Sequence, residues 1–151
     1  MTTRLTVELR DDEAKALLDR VRREAEDATP MFREIGASLV ENIRLGFAEG
    51  RSPWGEKWAK PKGRDGQPLI DTGLLRNSFS YRATGTGVSV GTNRRFSPKA
   101  TAAVHQFGTR DGRIPARPFM PIGGDEVDLP SSWEREVIGA IRRHAERMTG
   151  E

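Results

Sequence analysis

Apolar residues recur along this chain with two periods, and the periods mark out its elements. From Arg4 to Leu9 they alternate, with Leu5, Val7 and Leu9 on one side and Thr6 and Glu8 on the other. That is the pattern of a short, half-buried strand. Asp11 then offers a helix N-cap, and Asp12 and Glu13 put negative charge in the first helical turn. Leu17, Leu18, Val21, Ala25 and Ala28 follow at helical spacing. Thr29-Pro30 interrupts, since threonine can cap and proline suits the first position of a new helix. Phe32, Ile35, Leu39, Ile43 and Phe47 form a second stripe, closed by Gly50. The spacing predicts one kinked helix or two consecutive helices over 11–49. Gly36 and Gly46 weaken this prediction by about 1 kcal/mol each relative to alanine.

The next stretch, Arg51 to Pro61, holds two prolines, a glycine, Trp54 and Trp58, and cannot be regular. Two large rings in a loop must pack on something, either the domain's own core or a partner. Asp71 or Thr72 offers a cap for a short helix carrying Leu74, Leu75 and Ser78. Phe79 to Thr84 alternates, Gly85-Thr86-Gly87 turns, and Val88 to Gly91 returns, which predicts a β-hairpin. Ala100 to Phe107 reads as a short helix closed by Gly108. Residues 110–124, broken by Pro115, Pro118 and Pro121, should be extended and pinned by Ile114, Phe119, Met120 and Ile122. Ser131-Ser132-Trp133-Glu134 has the form of a capping box. Val137, Ile138, Ile141, Ala145 and Met148 then give the apolar face of a terminal helix. The expected fold is a single α+β domain over 1–151. Its N-terminal helical segment and C-terminal helix pack on a small, mainly antiparallel sheet. The hairpin is the sheet's centre, with strands from 4–9 and 114–122 as further members.

Composition narrows the function classes. The 151 residues include no cysteine, which removes disulfides, thiolate metal sites and a cysteine nucleophile. Two distant histidines leave little for a histidine-rich metal site, and no metal or cofactor is expected. No apolar run is long enough to cross a membrane, and the first residues lack a signal peptide's apolar stretch. A soluble protein kept inside a cell, or inside something assembled there, is expected. The net charge is only +3, but its distribution is uneven. Residues 51–117 hold thirteen basic against four acidic side chains, while the flanks hold twelve against eighteen. A basic middle suits nucleic acid or an acidic partner, or is simply a solvated face.

Few residues invite catalysis. Asp71-Thr72-Gly73 is the tripeptide of aspartic proteases, whose chemistry needs two carboxylates sharing a proton. One copy per chain would demand a homodimer, and the long helices at both ends do not suit an all-β protease. Helix capping is the plainer role for Asp71. His105 stands beside Gln106 with no serine or aspartate at helpful spacing, and His144 lies on the polar side of the last helix.

Three segments, in order, carry a resemblance. They are Leu69-Ile70-Asp71-Thr72-Gly73-Leu74-Leu75-Arg76-Asn77-Ser78, Ala102-Ala103-Val104-His105-Gln106-Phe107-Gly108, and Ile114-Pro115-Ala116-Arg117-Pro118-Phe119-Met120. Following a long helix and a Trp-containing loop, they resemble the phage virion morphogenesis family, over about residues 30–148. That family includes the tail-completion and neck proteins of Mu-like and P2-like phages and prophages. The resemblance implies a non-enzymatic virion protein at the head–tail joint, made in the bacterial cytoplasm. It implies a homo-oligomeric ring around the DNA channel, with six subunits to match the tail. Head-side connector or stopper proteins and tail terminator or tube proteins would be its partners, with non-specific contact to genomic DNA and none to membrane. Asp71, Thr72, Gly73, Arg76, His105, Gln106, Phe107, Gly108, Pro115, Pro118 and Phe119 are read as fold-determining. Trp54, Trp58, Arg64, Arg94, Arg95, Lys99 and Arg117 are the interface or DNA-channel candidates. Loops 50–68, 92–99 and 108–125 are expected to be mobile until neighbours order them. A stand-alone nucleic-acid-binding module is the alternative.

Overall fold

The computed structural model describes residues 9–59, 76–92, 102–111, 115–123 and 126–150. The two N-terminal stripes fold as separate helices, α1 over Asp12–Glu24 and α2 over Thr29–Glu49. Asp11 caps α1, its Oδ1 accepting the Ala14 N–H at 3.1 Å. The cap of α2 differs from expectation. Thr29 lies inside the helix, and its N–H donates to Asp27 Oδ1 at 3.0 Å. Pro30 sits in the first turn, where a missing N–H leaves no bond unmade. Gly50 ends α2 at φ 68°, a left-handed conformation that only glycine adopts without strain.

β1 (Ser80–Ala83) and β2 (Val88–Gly91) form the expected antiparallel hairpin, with Tyr81 opposite Val90 and Ala83 opposite Val88. Thr84 Oγ1 accepts the Gly87 N–H at 3.2 Å and tightens the turn. The hairpin lies directly against α2. A Cβ placed on Gly36 would stand 2.6 Å from Tyr81 Cγ and 2.8 Å from Val88 Cγ2. Glycine here is therefore a packing requirement: the strand pair sits where a side chain would be.

The opposite side of α2 meets α4 (Ser131–Gly150), which also covers α1. Trp133, Val137, Ala140, Ile141 and Ala145 are its buried face. Glu136 joins the helices by accepting from Ser38 Oγ at 2.6 Å and Asn42 Nδ2 at 2.8 Å. The capping-box reading of Glu134 is corrected. Its Oε1 accepts the N–H of Arg10 at 3.1 Å, so this carboxylate holds the segment before α1.

Of the two further expected strands, one lies almost wholly outside the described residues and the other turns out differently. The strand over 4–9 falls outside the described residues except for Leu9, which is buried. The described part of 114–122 does not join the hairpin. Among the described residues, Ile122–Gly123 (β3) pairs with Glu126–Val127 (β4), in a separate ladder. Three prolines over 115–121 remove backbone donors, and a side chain replaces the neighbouring strand. The core closes around four rings from distant segments. Phe47 meets Trp58 edge-on at 5.3 Å and stacks on Phe119 at 5.3 Å. Phe79 meets Phe119 edge-on at 5.3 Å, an arrangement aromatic rings favour.

Candidate functional site

Two of the three resembling segments meet in space through one side chain. α3 (Ala102–Phe107) ends at Gly108, which adopts φ 75° as its predicted role requires. Gln106 points inward from α3 and is 3% exposed. Its Oε1 accepts the N–H groups of Phe119 at 3.0 Å and Met120 at 2.9 Å. Its Nε2 donates to the carbonyl of Met120 at 3.0 Å and lies 3.4 Å from that of Ile122. A carboxamide carries both donor and acceptor, so it completes an extended backbone as a neighbouring strand would.

Phe107 departs from the reading of a packed helix end, being 52% exposed. Successive helical residues are rotated by about 100°, so when Gln106 faces inward its neighbour is carried toward solvent.

Arg117 and the tryptophans, the interface candidates among the described residues, make contacts within the chain. Arg117 is buried rather than presented outward. Its Nε donates to the Ala59 carbonyl at 2.9 Å and its backbone N–H to the His105 carbonyl at 2.8 Å. Between two prolines the chain is extended, and its rigidity turns the guanidinium onto the tryptophan loop. Trp58 is buried, with Nε1 donating to the Pro118 carbonyl at 2.8 Å. Trp54 is half-buried and donates to the Asp128 carbonyl at 2.9 Å. Residues 50–59 are thus bonded at several points to the rest of the chain. Ser52 Oγ accepts the Glu56 N–H, and the Trp58 N–H reaches the Gly50 carbonyl at 2.8 Å. Apolar rings with a single polar atom each are satisfied by the chain's own carbonyls.

His105 sits beside this junction. Burial, and then the positive charge of Arg117, hold its imidazole below the usual histidine value. Sequence reasoning missed a second polar junction, between α2 and α4. Glu34 accepts from Arg143 Nη2 and pairs with His144 Nε2 at 2.9 Å. Hydrogen bonds from Arg143 and His144, in that order, lower the Glu34 pKa. His144 is thus no simple surface residue. The charged pattern of α4 carried the hint, but only packing shows which helix it faces.

Asp71, Thr72, Gly73, Arg64, Arg94, Arg95 and Lys99 lie outside the described residues. Arg76 begins a 3₁₀ turn, Arg76–Ser78, with its Nε 3.3 Å from Asn77 Oδ1. Pro115 is half-buried in the extended run toward Phe119. Of the basic middle, Arg51, Lys57, Arg82 and Arg110 are exposed. Among the described residues no group of three or more His, Asp or Glu side chains could hold a metal ion, and no helix is long and apolar enough to cross a membrane.

Comparison with known proteins bears on the whole fold. The chain is 33% identical over 123 residues to Mu-like prophage FluMu G protein 2 of Haemophilus influenzae, covering 78% of this chain and 83% of that protein. It is 30% identical over 115 residues to an uncharacterized protein of Methanocaldococcus jannaschii, covering 70% and 83%. No solved structure gives a significant match. Residues 9–146 match the phage virion morphogenesis family, a span that runs from the buried Leu9 through the Gln106 junction and most of α4. The resemblance seen in three short segments therefore extends over nearly the whole chain, which belongs to the phage virion morphogenesis family.

Proposed function

We propose that the chain is a non-enzymatic structural protein of the head–tail joint, a neck or tail-completion protein of the virion. In this reading it forms a six-membered ring around the DNA channel and helps join tail to head. The family match over residues 9–146 carries the proposal. The side chains most suited to chemistry support it. Gln106 and Arg117 are engaged with the chain's own backbone, and His105 is half-buried beside them. The neighbours would be a head-side connector or stopper and a tail terminator or tube protein. Lumenal Arg64, Arg94, Arg95 and Lys99 would face DNA or an acidic partner ring.

The test is replacement of Arg94 and Arg95 together by glutamate in the phage or prophage that encodes the chain. Exposed charges shift stability by under about 0.5 kcal/mol, so the isolated protein should stay folded. Electron microscopy of lysates should then show separate heads and tails. Normal infectious particles would overturn the role of this pair, and normal particles without the chain at all would overturn the function.

A further inference from the structure

α1, α2, α4 and the hairpin enclose a cavity of about 500 Å³, within the range of about 300–1,000 Å³ common to binding pockets. Phe32, Ile35 and Leu39 of α2 and Ile141 of α4 give it an apolar floor. Among the described residues its charged lining groups are Arg22 of α1 and Arg82 of β1, and no carboxylate lines it. Both arginines are exposed, so the cavity reaches solvent beside positive charge. Arg22 is held there over the Phe32 ring, 5.7 Å from its centroid, with Asp19 at 3.7 Å. Arg82 is in no ion pair among the described residues. An apolar recess with two guanidinium groups suits an apolar side chain flanked by carboxylates.

α2 carries that arrangement farther along. Leu45 is 47% exposed. Glu41 and Glu49 stand four residues before and after it, one helical turn away on the same face. Both are exposed, and neither is in an ion pair among the described residues. Arg44, next in sequence, is drawn off to the Phe79 carbonyl at 3.4 Å. Neither Leu45 nor Glu49 favours a lone subunit: the leucine forgoes burial, and Glu49 faces the negative end of the helix dipole. Helical residues advance by about 100° and 1.5 Å, so Leu45 is turned roughly 240° from Leu39 and lies about 9 Å beyond it. Projection and cavity face apart on one rigid helix and do not meet within one chain. Between copies they make a head-to-tail contact, the kind that closes as a ring when its rotation divides a full turn. We propose that the cavity receives α2 of a second copy of this chain, with Leu45 on the apolar floor and Glu41 and Glu49 beside Arg22 and Arg82. The proposal rests on the ring reading and names the surfaces that build it.

Because the chain has no cysteine, Leu45→Cys and Ser89→Cys, the latter on the cavity wall, can be introduced singly and together. The full chain is made in the phage or prophage that encodes it, and assembled particles are treated with a short bismaleimide. Both changes together should give a ladder of multimers on a denaturing gel, and either alone should give monomers. Glu41→Arg with Glu49→Arg should cut the yield of infectious particles at least tenfold, as should Arg22→Glu with Arg82→Glu. Arg82→Glu alone replaces the second pair if circular dichroism shows that Arg22→Glu unfolds it. Made together in one cell, the two charge variants should restore the yield, because a six-membered ring can alternate them. Particles holding several copies but giving no link between positions 45 and 89 would overturn these surfaces and leave the ring standing. Particles holding a single copy would overturn the ring itself. Charge variants with normal yields, or a mixed pair that restores nothing, would assign the cavity to a different partner and overturn the proposal. So would Ser89→Cys reacting as slowly with N-ethylmaleimide in dilute monomer as in particles, since the subunit would then fill its own cavity.

Discussion

Replacing Gln106 by methionine keeps an unbranched side chain of similar length and removes its hydrogen bonds. Two buried backbone N–H groups then lose their partners, those of Phe119 and Met120, while the Met120 carbonyl keeps the Ile122 N–H at 2.7 Å. Each buried group left unsatisfied costs about 1–3 kcal/mol, giving roughly 2–6 kcal/mol before relaxation. Whole domains are stable by about 5–15 kcal/mol, so Gln106→Met should remove a large part of the protein's stability. Urea titration followed by tryptophan fluorescence is the assay. Trp58, bonded to Pro118, stands beside the affected segment. Gln106→Glu refines the test. Its carboxylate keeps the acceptor but loses the donor to Met120. Burial disfavours the charged form and raises the folded-state pKa of that carboxyl. The folded state then binds more protons than the unfolded one, so stability falls as pH rises above about 4.3. The deficit relative to wild type should therefore be large at pH 7 and shrink toward pH 4, where a protonated carboxyl can donate. A loss under about 1 kcal/mol in Gln106→Met, or a pH-independent deficit in Gln106→Glu, would mean that other groups satisfy residues 119–122.

Gly36→Ala should lower the melting temperature. The gain in helix propensity of about 1 kcal/mol is outweighed by an overpacking cost of about 1–3 kcal/mol against Tyr81 and Val88. A more stable variant would show that the hairpin does not seat on α2. For Glu34 the folded pKa lies below the ordinary 4.5, so its contribution is present above that value and fades as pH falls through the folded pKa. Glu34→Gln should flatten that acid limb in a pH series of urea titrations, and an unchanged limb would remove the Arg143 and His144 junction from the stability of the fold.

Both long helical stripes, the hairpin and the glycines ending α2 and α3 were legible in the sequence, because period and punctuation are local properties. The α2 cap, the Glu134 contact and the Arg117 and Trp58 bonds were not. Each depends on which backbone group comes near in three dimensions. Trp54 and Trp58 pointed correctly to packing, but a loop cannot declare whether its ring meets its own core or another subunit. Gln106 was singled out by motif, yet its work in place of a strand follows only from Pro115, Pro118 and Pro121 stripping donors from the segment opposite. Gly36 read as a local weakness in a helix, and its necessity lies in the strands pressed against it.

The position of α4 has a consequence for how the chain is made. It covers α1 and α2, but its residues, 131–150, are translated well after both. α2 ends at Glu49, so synthesis at about 5–20 residues per second leaves its apolar face waiting roughly 4–16 seconds for that cover. During this interval the nascent chain presents Phe32, Ile35 and Leu39 without Val137 and Ile141 of α4. It should therefore engage ribosome-associated holdases. A chain cut short before residue 131 lacks this cover altogether, and should aggregate or be degraded where the full chain folds.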